Sequence, residues 1–219
     1  LELDRLTWRC AALLAAHGVA SGEPLALSFD DELEGLVAML ATARRGATVR
    51  WIPRTTETLR DTMLAESRAR ICLSDTPGRA SRSITWLRPD VSPPGPDEPP
   101  VSPGVRAARP VAPWMIITGS GSTGAPKNIP VSHAQFLAQR DIYNQALDLG
   151  PSDTVASLLS LDSVVKRERF VDTLLNGACV VVSPRPLPDP IGWLRQQAVR
   201  VLWSTVVQAE RLLVAPGAG

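Results

Sequence analysis

A chain of 219 residues, 44% apolar and 21% charged, is long enough and apolar enough to bury a core, which excludes a disordered protein. Its formal net charge of +1 gives no field that would draw it to nucleic acid or to an anionic membrane. No apolar run reaches the ~18 residues of a membrane span and no signal peptide opens the chain, so neither nucleic acid nor membrane is an expected partner and the location expected is cytoplasmic.

The chain opens at Leu1 without an initiator methionine, which reads as a piece of something longer. Leu3, Leu6, Cys10, Leu13, Leu14 and His17 fall at helical spacing, and Gly18 supplies a stop. "PLALSF" (24–29) alternates as a strand does, and 30–46 reads as a helix that is acidic at its start and basic before Gly46, as the helix dipole favours. Strand signals follow at 47–52 and 70–74, with a helix over 55–69 between them. Eight of the 20 prolines crowd into 89–110, a composition for a polyproline-like surface linker rather than a sheet interior. Beyond it come a strand at 114–118, a hydroxyl-capped helix over about 132–147, strands at 154–160, 178–183 and 199–204, and helices at 164–176, 190–198 and 205–213.

Strands alternating with helices make this an α/β chain with mainly parallel sheets flanked by helices. The expected organisation is a first α/β subdomain over 1–88, the linker 89–110, and a second α/β segment over 111–219. No internal repeat is visible. Cys10, Cys72 and Cys179 sit in apolar surroundings and read as buried free thiols. "KRER" (166–169) reads as a mixed-charge helix face, and the six tryptophans as packing residues. His17 at a helix end and His133 at a helix start read as structural.

The most informative stretch is "TGSGSTGAPK", 118–127, which directly follows a buried-looking strand. A bound phosphate needs convergent N–H donors and a cation. Glycines let backbone approach closely, hydroxyls add donors and lysine adds charge. Lys127 is one of only two lysines in the chain, the other being Lys166. The ATPase-type loop is excluded, because Ala125 and Pro126 follow Gly124 where lysine and a hydroxyl are required. The dinucleotide pattern matches Gly119, Gly121 and Gly124 formally, but Pro126 and Pro130 obstruct a helix starting there.

Gly119-Ser120-Gly121-Ser122-Thr123-Gly124-Ala125-Pro126-Lys127, with Ser132-His133 shortly after, resembles the phosphate loop of the adenylate-forming superfamily. That superfamily comprises acyl-CoA synthetases, adenylation domains of nonribosomal peptide synthetases, and luciferases. "LLNGACVVVSP" and "DPIGWLRQQAVRVLWSTVVQAERLL" are similar to later segments of the same family.

The resemblance implies the N-terminal part of the large domain of such an enzyme, without its C-terminal domain. The activity implied is ATP-dependent activation of a carboxylic acid as an acyl-adenylate, for transfer to a thiol of CoA or a carrier protein. By the same resemblance Thr118, Ser120, Ser122, Thr123 and Lys127 line the phosphates of ATP, with Mg2+, while Gly121 and Gly124 give backbone access. Asp162 stands where relatives place an acid toward a substrate amine; here it sits in "LSLDS", which lacks the usual aromatic. Asn128 replaces the glycine usual after Pro-Lys, which is tolerable if its backbone is left-handed. No catalytic residue is assigned. The chain by itself is expected to be inactive and to need the missing C-terminal part, and the alternative is a degenerate, non-catalytic module serving as a scaffold.

Overall fold

The computed structural model describes residues 2–76, 78, 83–93, 95, 109–119, 127–184 and 186–214. Two compact units divide the chain, Leu1–Asp141 and Ile142–Gly219. The first contains α1 (Glu2–Ala16), β1 (Pro24–Ser28), α2 (Glu32–Arg45), β2 (Thr48–Trp51), α3 (Glu57–Ser67), β3 (Ile71–Ser74), β4 (Thr85–Leu87), β5 (Pro113–Gly119) and β6 (Lys127–Ser132). α4 (His133–Leu147) carries the boundary, and β7 (Thr154–Ser157), α5 (Val164–Leu175), β8 (Cys179–Val181), α6 (Pro190–Gln196), β9 (Val201–Trp203) and α7 (Val206–Leu213) complete the second unit.

The six-stranded sheet of the first unit runs β4-β3-β1-β2-β5-β6, parallel except for the β5/β6 pair. Leu25, Ala26 and Leu27 of the central strand are all fully buried, so β1 is covered on both faces rather than alternating between core and solvent. Ala26 and Cys72 pack with Leu64 of α3, and each such buried leucine contributes roughly 2 kcal/mol. α2 is set by its ends. The Asp31 carboxylate accepts the Glu34 N–H at 2.8 Å, and Gly46, at φ 64°, turns the chain out of the helix.

The sheet includes strands from both sides of 89–110, so the compact units divide at 141/142 rather than at the proline-rich stretch. Most of that stretch lies outside the described residues. Its beginning is tied to α1, where Arg9 meets the Asp90 carboxylate at 3.0 Å and the Ser92 carbonyl at 3.0 Å. Two strands are not foreseen by the periodicity. β4 has three half-exposed residues, too few to show a period. β6 carries Pro130, which an edge strand tolerates because its missing N–H is not needed by a neighbour.

The three-stranded sheet of the second unit runs β8-β7-β9, all parallel. Its path repeats that of the first unit. In both, a 15-residue helix leads into a central strand, the next strand joins on one side, and the third crosses to the other. The strands start at 24, 48 and 71 in one unit and at 154, 179 and 201 in the other. The details repeat too. Thr42 and Thr173 each donate a hydroxyl one turn back, to the Ala38 and Arg169 carbonyls, and the Ala47 and Ala178 N–H groups bond the Thr42 and Thr173 carbonyls at 3.1 Å. Gly46 and Gly177 both take positive φ, 64° and 74°. The trace left in the sequence is Thr-x-x-x-Gly-Ala-x-Val at 42–49 and 173–180.

α5 departs from the sequence reading. Lys166, Arg167, Glu168 and Arg169 are buried, Lys166 completely, and do not form a solvated face. A buried charge must find partners. The Lys166 ammonium donates to the carbonyls of Ser157 at 3.0 Å and Leu159 at 2.8 Å, just where β7 ends, and lies 5.1 Å from the Phe170 ring. Arg169 stacks 3.7 Å from the Tyr143 ring and pairs with Asp172 at 2.9 Å. Cys10 and Cys72 are buried, which pushes both thiols up to about 12, whereas Cys179 is exposed, at the first position of an outer strand. Among the described residues no helix is long and apolar enough to cross a membrane.

Candidate functional site

The described ends of the stretch singled out by composition lie on two antiparallel strands, β5 and β6. β5 runs parallel to β2, with Val49 opposite Met115 and Arg50 opposite Ile116, and Trp114 and Met115 are buried in the core. β6 returns alongside, pairing Ile117 with Ile129, Thr118 with Asn128 and Gly119 with Lys127. Gly119 and Lys127 are therefore the last cross-strand pair, and residues 120–126 connect them at the carboxyl end of β5. Ser120, Gly121, Ser122, Thr123 and Gly124 lie outside the described residues. The described part of the site is its frame of Thr118, Gly119, Lys127 and Asn128.

That frame is firm at the base and open at the tip. At the base, the Trp114 ring stacks on the His133 imidazole, centroids 5.8 Å apart and planes 19° apart, and meets Phe136 edge-on at 4.7 Å. Ser132 caps α4 reciprocally with Gln135: the Gln135 N–H bonds the Ser132 hydroxyl at 3.2 Å, and the Ser132 N–H bonds the Gln135 side-chain oxygen at 2.8 Å. His133 thus packs, as its position suggests, and burial holds its imidazole below the ordinary histidine range. At the tip, Thr118, Lys127 and Asn128 are exposed, and the Thr118 hydroxyl reaches the Asn128 side-chain oxygen at 3.5 Å. Among the described residues no carboxylate pairs with Lys127, which is exposed at the first position of β6. Asn128 lies in extended β6 and is not left-handed, so the strand register, not a positive φ, accommodates it.

Thr118, Gly119 and Lys127 are brought together across two strands. Asp162 belongs to the second unit, in the turn after β7, half-buried, with its N–H on the Ser160 hydroxyl at 3.1 Å. Its carboxylate acts on the Arg167 guanidinium, which burial pulls down to about 10 against the opposing pull of Asp162 and Glu168. Arg167 also donates to the Leu161 carbonyl. Lys166 and Arg167 thus hold the turn carrying Asp162 from below, a role hidden in the sequence because four consecutive charged residues look like a solvated face.

The described framework is thus a parallel α/β sheet whose core strand β5 leads into the glycine-, serine- and threonine-rich segment, with Lys127 opening the return strand β6. A model described as the AMP-binding enzyme family matches residues 1–218, and the chain belongs to that family of adenylate-forming enzymes. Curated relatives include pyochelin synthetase PchF of Pseudomonas aeruginosa, 30% identical over 92% of this chain and 11% of that protein. The nonribosomal peptide synthetase hkm11 of Aspergillus hancockii is 30% identical over 83% of this chain and 14% of its own length. The chain thus spans a small part of the curated relatives it matches.

Among solved structures, the N-terminal subdomain of Klebsiella oxytoca NpsA in complex with 3-hydroxybenzoyl-AMSN superposes with a TM-score of 0.76 at 22% identity, over 97% of this chain and 55% of that one. O-succinylbenzoate coenzyme A synthetase (MenE) of Bacillus subtilis, in complex with ATP and magnesium ion, gives a TM-score of 0.81 at 17% identity, over 99% of this chain and 60% of that one. At these identities the likeness establishes the fold.

Proposed function

We propose that this chain is the part of an adenylation domain or acyl-CoA synthetase that grips the phosphates of ATP, in an enzyme that activates a carboxylic acid as an acyl-adenylate and passes it to a thiol of CoA or a carrier protein. The observation that carries the reading is the hairpin register that makes Gly119 and Lys127 the closing pair of the Ser120–Pro126 turn, in a chain of the AMP-binding enzyme family. The binding of ATP with magnesium by MenE, a protein of the same fold, supports the choice of ligand.

When bound, Mg·ATP supplies the electrophilic α-phosphorus and the pyrophosphate leaving group. The chain's part is electrostatic. The Lys127 ammonium and the Thr118 hydroxyl, both exposed at the mouth of the turn, hold and orient the terminal phosphates, joined by the turn's hydroxyls and amides. Charge that grows on the departing pyrophosphate then meets donors already in place. Trp114 of β5, packed against His133 and Phe136 of α4, keeps the base of the frame rigid. In this reading Asp162 faces an amine of the substrate, and Lys166 and Arg167 position the turn that carries it.

The test is calorimetric titration of the chain with Mg·ATP beside Lys127→Ala. Loss of one charge-assisted contact to phosphate is expected to weaken binding about tenfold. Equal affinity in the two proteins would remove Lys127 from the site. A folded chain that does not bind Mg·ATP at all would favour the non-catalytic scaffold reading.

A further inference from the structure

The first unit holds a second polar crevice, lined by none of the hairpin residues. It lies at the carboxyl ends of β1 and β3, lined by Ser28, Arg54, Thr55, Arg60, Ser74, Thr76 and Trp86, with a volume of about 130 Å3. Its place follows from the strand order. β1 lies between β2 and β3; its own connection leaves through α2 toward β2, while β3 stands on its other side. Connections that diverge from adjacent parallel strands open a crevice at their carboxyl ends, the usual ligand position in such sheets.

The chemistry of the crevice favours a negative guest. The Asp75 carboxylate, which does not line the crevice, is taken up elsewhere: it accepts the N–H groups of Asp30 at 2.6 Å and Asp31 at 2.7 Å at the start of α2. Arg54 is matched by Asp30 and Asp75. Arg60 is not; among the described residues no carboxylate pairs with it, and its guanidinium lies 5.9 Å over the Trp86 ring. Among the described residues two donors there have no acceptor, Arg60 Nε and Trp86 Nε1, both out of contact with solvent. Orphaned buried donors are costly, each on the order of 1–3 kcal/mol, and two at the wall of one small cavity mark the place of a missing acceptor. The Ser28 and Thr55 hydroxyls add further donors.

We propose that this crevice binds a tetrahedral oxyanion of the phosphate class, with Arg60 as the cation that meets it and Trp86 N–H as a second donor. The size fits. A cavity of about 130 Å3 equals about four water molecules of liquid volume and falls below the roughly 300 Å3 that larger organic ligands need, so it takes one anionic group and not a nucleotide. That group is either free inorganic phosphate or the end of a phosphomonoester whose remainder stays outside. The site is independent of the hairpin turn and of the reading of that turn.

The full chain is titrated by calorimetry with inorganic phosphate, against chloride at matched ionic strength, beside Arg60→Gln and Lys127→Ala. Saturable binding of phosphate, weakened about tenfold in Arg60→Gln and unchanged in Lys127→Ala, is the expected result. Binding that survives Arg60→Gln, or that is lost in Lys127→Ala instead, overturns the proposal, as does the absence of any phosphate-specific heat. A second readout needs no variant at Arg60. Phosphate is expected to move the indole N–H resonance of Trp86, identified by its disappearance in Trp86→Phe, and phosphate binding that leaves this resonance in place refutes the site. Glycerol 3-phosphate separates the two sources: a match to inorganic phosphate assigns the terminal group of a larger ligand, and exclusion assigns the free ion.

Discussion

Arg200 makes in the second unit the contacts that Arg70 makes in the first. Arg70, just ahead of β3, pairs through Nε with Glu23 at the start of β1 and donates through Nη2 to the carbonyls of His17 and Gly18 after α1. Arg200, just ahead of β9, pairs with Asp153 at the start of β7 and donates to the carbonyls of Leu147 and Asp148 after α4. In each unit one guanidinium ties the end of the leading helix, the entry to the central strand and the entry to the third strand. A planar fork with several donors suits the task, and a lysine would not reach three acceptors in fixed directions.

The acidic partner makes the second staple pH-sensitive. The Asp153 carboxylate is held below its usual range first by the Gly150 N–H and then by Arg200. A carboxylate with a lowered folded pKa adds stability above its unfolded value of about 4, and that contribution is lost as pH falls through the folded value. Urea midpoints measured across the acid range are expected to fall more steeply for the parent than for Asp153→Asn. Parallel curves would show that the staple carries no linked proton.

The two helix-ending glycines are predicted to respond alike to substitution. Gly46 and Gly177 sit at φ 64° and 74°, where a Cβ costs roughly 1–2 kcal/mol, and at Gly177 the new atom would also lie 3.4 Å from Pro151 Cγ. Gly46→Ala and Gly177→Ala should each lower the denaturant midpoint, with asparagine milder at both positions. An alanine variant as stable as the parent would contradict the left-handed turn at that site.

Such details show where the sequence is legible and where it is not. α1, α2, β1 and β2 follow from spacing and caps, because Leu6, Cys10, Leu14 and Asp31 act through neighbours close in the chain. The phosphate loop is legible as chemistry, because a dense set of glycines, hydroxyls and Lys127 has few other uses. β4 and β6 are not legible, since a short edge strand is set by the strand it joins. The repeat is hidden for a related reason. What the units share is a route through space, and only Thr42-to-Val49 and Thr173-to-Val180 keep it in letters. Arg70 and Arg200 carry no local signal, as their partners lie about fifty residues away.

His133 gives a second pH-dependent prediction, of opposite origin. Burial lowers the imidazole below its ordinary value, and among the described residues its buried Nε2 has no hydrogen-bond partner. The folded chain therefore resists protonation that the unfolded chain accepts near pH 6.5, so stability is full above about that value and declines as pH falls toward the folded value. An NMR titration should place the His133 ring proton transition below the ordinary histidine value of about 6.5. His133→Gln should remove this part of the pH dependence; a His133 transition at or above about 6.5 would contradict the packing.

The last prediction concerns Lys166, which is buried completely and whose ammonium satisfies the carbonyls of Ser157 and Leu159. Truncation to alanine leaves both carbonyls without this donor and opens a cavity beside Phe170, at a combined cost of roughly 3 kcal/mol or more. Lys166→Met fills the space but supplies no donor, so it should recover the packing part and not the hydrogen-bond part. The order parent, methionine, alanine is therefore expected in urea midpoints. The turn after β7 depends on the same contacts, so backbone amide exchange at Leu159 to Asp162 should quicken in both variants more than exchange in β1 does. Unchanged exchange in that turn would mean that the ammonium is incidental to the position of Asp162, and the turn would owe its shape to the Arg167–Leu161 hydrogen bond and the Ser160 hydroxyl instead.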